Sequence, residues 1–227
     1  MDFIKGELIL IDKPLNWTSF DVVKKIRRNI IIKLNQTGIK VGHAGTLDPL
    51  ATGLMIICTG KLTKEISKYQ EYHKEYIATL KLGATTPSFD LETDIDKTYP
   101  VNHINEGLIN KTLKEYTGEL YQIPPSYSAK FINGIRAYKY ARSGKEINLK
   151  PSRIFIKEIN ILKFELPILK IKVICSKGTY IRSLVRDIGN SLNSGAHLIE
   201  LIRTAIGKYK LDEAISIKDF ENQLKFL

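Results

Sequence analysis

The spacing of hydrophobic positions changes along the chain, and each change predicts a new element. The apolar run at residues 7–12 predicts a first strand, which Lys13 and Pro14 end. Apolar residues then recur at helical spacing after residues 18–21, which are typical of a capping box. Lysines and arginines lie between these apolar positions, so we expect a helix with a basic outer face.

Strands and helices continue to alternate through the rest of the chain. The apolar run at residues 54–58 is typical of a strand buried on both faces, and a short helix is expected to end near Tyr69. The remaining periodicity predicts strands at residues 76–83 and 169–175 and helices at residues 105–116, after Thr179 and at residues 216–227. This mixture predicts an α/β (α+β) fold with a central mixed sheet and flanking helices.

Composition and charge narrow the class of protein. The 227 residues are 43% hydrophobic, which is enough for one large domain with a sizeable core. Lys+Arg 35 against Asp+Glu 24 gives a formal net charge of +11, which favours nucleic acid as partner over a membrane surface. The N-terminus lacks a signal-peptide pattern and no apolar run is long enough to span a bilayer, so we expect a cytoplasmic protein. Cys58 and Cys175 lie in apolar runs without metal-ligand spacing and are expected to be buried thiols.

One stretch places a single carboxylate among glycines. Asp48 is the only acid between residues 41 and 54, with Gly42 and Gly45 before it and Gly53 after it. These glycines permit a loop that bends closely around a ligand or another segment. Alternatively, Asp48 caps a short helical turn that has Pro49 at its first position. The residue types alone leave both interpretations open.

Three other stretches contain candidate functional residues. Tyr76 begins the apolar face of its strand, where a tyrosine is most often a core residue. Arg182 lies in the first turn of a helix, where the dipole disfavours a cation, so we expect a phosphate, a surface carboxylate or Asp48 beside it. The four acids of residues 85–96 lack calcium-loop spacing, and we expect a solvated loop that pairs with nearby lysines.

Residues 124–152 mix basic and aromatic side chains. The basic ones are Lys130, Arg136, Lys139, Arg142 and Lys145, and the aromatic ones are Tyr127, Phe131, Tyr138 and Tyr140. Basic side chains bind phosphates and aromatic rings stack on unpaired bases, so this composition favours binding of single-stranded or looped RNA. An exposed hairpin would have the same composition.

The stretch GHAGTLDPLATG, residues 42–53, resembles the signature of the TruB family of bacterial tRNA pseudouridine synthases. Residues 74–76, 177–182 and 195–207 and the segment at residues 124–152 are similar to further motifs of that family. The resemblance covers nearly the whole chain and implies a pseudouridine-synthase fold with a largely antiparallel mixed sheet. It implies one catalytic domain over residues 1–227 with an RNA-binding insertion at about residues 124–152. The PUA domain with which the family commonly continues is expected to be absent.

The resemblance also implies a reaction and assigns residues to it. The reaction is isomerisation of uridine-55 in the T-loop of tRNA, with Asp48 as catalytic residue, Tyr76 stacked on the target base and Arg182 paired with Asp48. The expected substrate-binding residues are His43, Lys130, Tyr180, Leu201 and Arg203. The N-glycosidic bond breaks, the base rotates and rejoins through C5, and no redox step occurs, so we expect neither cofactor nor metal. The expected partner is the tRNA T-arm, bound by a monomer.

The sequence departs from the family pattern at three places. Asn16 stands where the family usually has glycine, Ile202 where it usually has arginine, and Lys130 lies one place before the usual lysine. The competing interpretation is a non-catalytic tRNA-binding or tRNA-folding protein with the same fold. The joint presence of Asp48, Tyr76 and Arg182 argues against that alternative.

Overall fold

The computed structural model describes residues 1–132, 134–145 and 147–226. Up to residue 82 the elements are β1 (Leu8–Lys13), α1 (Ser19–Leu34), β2 (Val41–His43), β3 (Ala51–Thr59), a 3-10 helix (Gly60–Glu65), α2 (Ile66–Gln70) and β4 (Lys74–Leu82). The following elements, up to residue 142, are β5 (Ala84–Thr85), β6 (Lys97–Thr98), α3 (Glu106–Glu115), β7 (Gly118–Gln122), β8 (Phe131–Ile132), β9 (Ile135–Arg136) and α4 (Ala137–Arg142). The last elements are β10 (Ser152–Glu165), β11 (Ile168–Cys175), α5 (Ile181–Ser191), β12 (Ala196–Ile206), β13 (Tyr209–Lys210), a 3-10 helix (Leu211–Glu213) and α6 (Ile217–Lys225).

The chain divides into two compact units. The first comprises Met1–Ile77 and Leu201–Leu227, and the second comprises Ala78–Glu200. Among the described residues, nine strands belong to a large mixed sheet, and strands β4 and β12 each have residues in both units. The large mixed sheet and the helices confirm the predicted α/β class.

Strand β3 organises the sheet of the first unit. Strands β1 and β2 pair with β3 antiparallel, whereas β12 pairs with it in parallel, with Arg203 opposite Gly53. Helix α1 begins with the predicted capping box, in which Thr18 Oγ1 accepts a bond from Asp21 N and Asp21 Oδ2 accepts one from Thr18 N, both at 3.0 Å. Its apolar stripe is buried, as the periodicity predicted. Helix α1 packs against α6.

In the second unit, β10 pairs antiparallel with β7 and with β11. The alternation predicted for β11 is confirmed, because its inward-facing residues are all buried, from Leu169 to Cys175. Helix α5 buries the stripe expected after Thr179, including Leu184, Val185 and Ile188. Cys58 and Cys175 are both buried.

The segment predicted as an insertion contains the hairpin β8–β9 and helix α4. Asn133 and Glu146 of this segment lie outside the described residues, as does Leu227 of the predicted C-terminal helix. Within the part of the chain that the structure describes, no helix is both long enough and apolar enough to cross a membrane.

Candidate active site

The loop around Asp48 is held at the residues on either side of the carboxylate. On one side, Ser19 Oγ accepts a hydrogen bond from Leu47 N at 2.7 Å and donates one to Leu47 O at 3.0 Å. On the other side, Pro49 O accepts a hydrogen bond from Asn16 N at 2.9 Å. Ala51 N donates to Asp48 O at 3.1 Å in a single turn at residues 49–50, and β3 begins at Ala51. Capping of this turn by the Asp48 side chain stays a prediction. The half-buried carboxylate is therefore presented by a loop fixed at both ends.

Arg203 fixes the glycines of the same loop. It is 1% exposed, and its guanidinium donates to Leu54 O at 2.7 Å and to Gly45 O at 3.1 Å. Gly45 has a φ of +143°. Gly53 has a φ of +103°, and a Cβ there would lie 2.4 Å from Arg203 O. Both positions therefore require glycine, because a side chain would be strained or would displace the neighbouring strand.

The backbone conformation of Asn16 explains why this departure from the family pattern is tolerated. Its φ is +65°, in the left-handed region that favours glycine. Asparagine enters this region more readily than most other residues, so the turn after β1 is kept without a glycine. The substitution therefore leaves the hydrogen bond from Asn16 N to Pro49 O in place.

Lys13 lies beneath this loop. It is 0% exposed, and its Nζ donates to Pro14 O at 2.9 Å, to Trp17 O at 2.6 Å and to Pro49 O at 3.3 Å. Burial lowers the pKa of Lys13 to about 8, while the charge of Asp48 opposes this shift and that of Arg203 adds to it. Lys13 is a positioning residue for the loop and a positive charge close to Asp48.

The burial of Lys13 should make the stability of the fold depend on pH. Its pKa is about 8 in the folded protein and 10.5 for an ordinary lysine, so between these values the unfolded chain binds more protons. The free energy of unfolding should therefore rise with pH in this window, by up to about 3 kcal/mol, and Lys13→Met should lack this increase. Urea unfolding of both proteins from pH 7 to pH 10.5 measures it, with the exposed Lys24→Met as control. A difference between wild type and Lys13→Met that stays constant with pH would contradict the prediction.

Three other predicted site residues lie in the first unit. His43 is half-buried, and its Nδ1 accepts a hydrogen bond from Gly45 N at 3.2 Å. Burial and the charge of Arg203 lower the pKa of His43, which favours the neutral ring that this bond requires. Tyr76 and Leu201 are buried, at 8% and 7% exposure. Leu201 lies opposite Ala51 in the parallel pairing of β12 with β3.

Arg182 is the central predicted residue of the second unit. It is 3% exposed, and its guanidinium donates to Ser88 O at 3.3 Å and to Tyr127 O at 3.0 Å. Its Nε lies 3.5 Å from Asp90 Oδ2, and Asp90 is 5% exposed. An anion thus lies beside Arg182, as expected, but it is a buried carboxylate that the sequence did not indicate. The pairing of Arg182 with Asp48 that the resemblance implies stays a prediction.

The prediction of a solvated acidic loop at residues 85–96 is wrong for Asp90, whereas Glu92, Asp94 and Asp96 are exposed as expected. Asp90 is buried beside Arg182, and Glu92 pairs with Arg142 at 2.7 Å, so these two acids pair with arginines rather than lysines. Charge alone suggested a solvated loop. In the structure, the hydroxyls of Thr86 and Ser88 donate hydrogen bonds to Asp90 O, which satisfy this carbonyl in the interior.

Tyr180 and Lys130 also lie in the second unit. The side chain of Gln122 accepts a hydrogen bond from Tyr180 N at 2.8 Å and donates one to Tyr180 O at 3.1 Å, which fixes the start of α5. Lys130 Nζ donates to Ser152 Oγ at 2.9 Å. The predicted substrate contacts of both residues stay predictions.

The structure thus groups Lys13, His43, Asp48 and Arg203 in one unit and Arg182 with Asp90 in the other. Sequence reasoning missed Lys13 and Asp90. The alternation of β1 carried a signal for Lys13, because it shares the inward face with Ile9 and Ile11. Among the described residues, no group of three or more His, Cys, Asp or Glu could hold a metal ion.

The fold of the chain is similar to that of solved structures. The fold is similar to a chain in the crystal structure of a Cbf5–Nop10–Gar1 complex, with a TM-score of 0.74 and 29% identity over 99% of this chain and 56% of that chain. It is also similar to a chain in the structure of an H/ACA RNP bound to a substrate RNA containing 2'-deoxyuridine, with a TM-score of 0.70, 28% identity and 55% of that chain covered. This chain spans just over half the length of both.

Comparison with models of protein families places this chain among the pseudouridylate synthases. The model for the N-terminal domain of TruB family pseudouridylate synthases matches residues 28–181, and that for the C-terminal domain of tRNA pseudouridylate synthase B matches residues 182–227. The chain belongs to the TruB family, which confirms the resemblance and the pseudouridine-synthase fold.

Curated relatives agree with this assignment. A tRNA pseudouridine synthase B from Phocaeicola vulgatus is 57% identical over 224 residues, which cover 99% of this chain and 95% of that protein. Another from Flavobacterium johnsoniae is 50% identical over 225 residues, which cover 99% of this chain and 98% of that protein.

Proposed function

We propose that this chain is a tRNA pseudouridine synthase that isomerises uridine-55 in the T-loop to pseudouridine. Close relatives over nearly the full length carry the name tRNA pseudouridine synthase B. One solved structure of similar fold was determined with a substrate RNA bound. We further propose a cytoplasmic monomer with one catalytic domain that acts on the T-arm without a cofactor.

The observation that carries this proposal is the Asp48 loop. Its carboxylate lies in the family signature, and Ser19, Lys13 and Asn16 hold the backbone on both sides of it. Isomerisation requires a carboxylate that attacks C1′ of the sugar or removes a proton, and Asp48 is the only carboxylate of this loop. A non-catalytic RNA-binding protein has no need of a carboxylate held in this way.

The other predicted residues are assigned by the family resemblance. The target base must leave its stack and be held while it rotates, which requires an aromatic face and an apolar wall. We assign the aromatic face to Tyr76 and the apolar wall to Leu201, and we assign RNA contacts to His43, Lys130 and Tyr180. The described contacts of Arg203 are to backbone carbonyls of the Asp48 loop, so we assign it to positioning that loop.

Release of tritium tests the function directly. A tRNA transcript with uridine labelled at C5 loses its tritium when C5 joins the ribose, so the wild-type chain should release one equivalent per uridine-55. A transcript with cytidine at position 55 and labelled uridines elsewhere is the control and should release none. Tight tRNA binding without release would favour the non-catalytic alternative.

The insertion should supply phosphate contacts through its exposed lysines. Arg136 donates to Ala129 O and lies 3.8 Å from the ring centroid of Phe131, and Arg142 pairs with Glu92, so these two arginines have structural partners. Lys139 and Lys145 are exposed. Changing both to alanine should weaken tRNA binding and reduce the slope of log K against log salt by roughly 1 to 2 units.

Filter binding between 50 and 300 mM salt measures this slope. Lys218→Ala combined with Lys225→Ala on α6 removes the same charge outside the insertion and serves as the control. Equal slopes for the insertion variant and wild type would remove the insertion from the RNA-binding surface.

A further inference from the structure

A surface pocket lies beside the start of helix α1, apart from the residues assigned to the reaction. Its volume is about 420 Å³, and it is lined by Asn16, Trp17, Asp21, Lys24, Lys25 and Arg28. All of these residues belong to the first unit. The volume falls within the range of about 300–1,000 Å³ that ligand sites occupy.

Two of the cations in this pocket are available to an outside anion. Lys25 already pairs with Glu221, with its Nζ 2.6 Å from Oε1. The single acid, Asp21, accepts hydrogen bonds from Thr18 N and Thr18 Oγ1. Lys24 and Arg28 are exposed, and neither forms an ion pair with another described residue of the chain. The pocket therefore has a net positive charge, with Asp21 offsetting part of the charge of Lys24.

The floor of the pocket is joined to the Asp48 loop. Trp17 O accepts the hydrogen bond from buried Lys13, whose Nζ also donates to Pro49 O. Asn16 N donates to the same Pro49 carbonyl. Pro49 directly follows Asp48, so a chain bound along this pocket lies next to the loop that carries the catalytic carboxylate.

We propose that this pocket binds the sugar–phosphate backbone of the substrate RNA, with phosphate on Lys24 and Arg28 and a sugar or unpaired base against Trp17. The inference rests on the proposed function and adds helix α1 of the first unit as a second RNA-binding element besides the insertion. Cations combined with an aromatic ring are the usual components of a surface for single-stranded or looped RNA. Phosphate contacts of this kind fix the position of the RNA without reading its sequence.

Fluorescence of Trp17 reports directly on the pocket, because it is the only tryptophan in the chain. Titration of the full chain with a T-arm hairpin RNA should change the Trp17 emission, with saturation at the RNA concentration at which filter binding saturates. Lys24→Ala combined with Arg28→Ala should reduce this change at equal RNA concentration. Unchanged emission at RNA concentrations that saturate filter binding would overturn the proposal.

Salt dependence gives a second, independent test. The Lys24→Ala/Arg28→Ala variant should bind the hairpin about 10-fold more weakly or worse, and its salt slope should fall by roughly 1.4, because each phosphate contact on a single strand contributes about 0.7. Lys61→Ala combined with Lys64→Ala removes the same charge from exposed residues of the first unit and should leave the slope unchanged. Equal effects of the two double variants would mean a response to net charge alone and would overturn the proposal.

The test of the RNA-binding pocket can be distinguished from the test of the proposed function. If wild type releases tritium while the pocket variant binds RNA like the control, the inference fails and the function stands. If wild type releases none, while Trp17 responds to RNA and the pocket variant loses salt slope, the function fails and the RNA-binding pocket stands.

Discussion

Asp48→Asn is expected to lower tritium release from uridine-55 by at least about 10,000-fold, because it removes the only carboxylate of the loop, the group proposed to act as nucleophile or base. The described bonds that hold the loop use backbone atoms of Leu47 and Pro49, so the fold of the loop should survive the change. Binding of the T-arm hairpin should stay within a few-fold of wild type. The variant should therefore bind its substrate without converting it.

Asp94→Asn is the matched control, since it makes the same chemical change at an exposed acid of the second unit. It should retain wild-type release. Single-turnover assays at saturating enzyme separate the chemical step from binding. Release by Asp48→Asn within 10-fold of wild type would remove Asp48 from the reaction, and with it the proposed mechanism.

Much of the fold could be predicted because its signals are local. The capping box of α1, the alternation of β11 and the stripe of α5 depend on residues a few positions apart. The Asp48 loop could not be resolved in this way, because Asp-Pro is compatible with a helix start as well as with a turn. The bonds that hold the loop come from Lys13, Asn16 and Ser19, which are about 30 residues away in the chain.

Lys13 and Asp90 could not be predicted as site residues from the sequence, and the physical reason is the same for both. Lys13 and Asp90 are both buried, whereas charge in a sequence is normally a signal of exposure. Each is buried together with groups that compensate for lost water: three carbonyl oxygens for Lys13, and the guanidinium of Arg182 for Asp90. These partners are known only once the chain is folded, so composition and periodicity could not identify them.

Arg182 has a structural role that an activity assay alone would hide. Its guanidinium bonds to Ser88 O and Tyr127 O and pairs with Asp90 in the interior of the second unit. Removing one partner of a buried ion pair commonly costs about 3–5 kcal/mol. A loss of turnover in a single variant would therefore follow from misfolding as readily as from lost catalysis.

Arg182→Met is expected to lower the free energy of unfolding by about 3–5 kcal/mol and to remove most activity. The double variant Asp90→Asn/Arg182→Met should regain at least half of the lost stability, because neither charge then remains buried without the other. If Arg182 acts in the reaction, as the family resemblance implies, the double variant regains stability but not turnover. Arg186→Met is the comparison on the same helix: its pair with Asp187 is more exposed than that of Arg182 with Asp90, so the loss should be smaller. Urea unfolding and single-turnover tritium release measure the two effects separately. Near-wild-type turnover in the double variant would limit Arg182 to holding the fold.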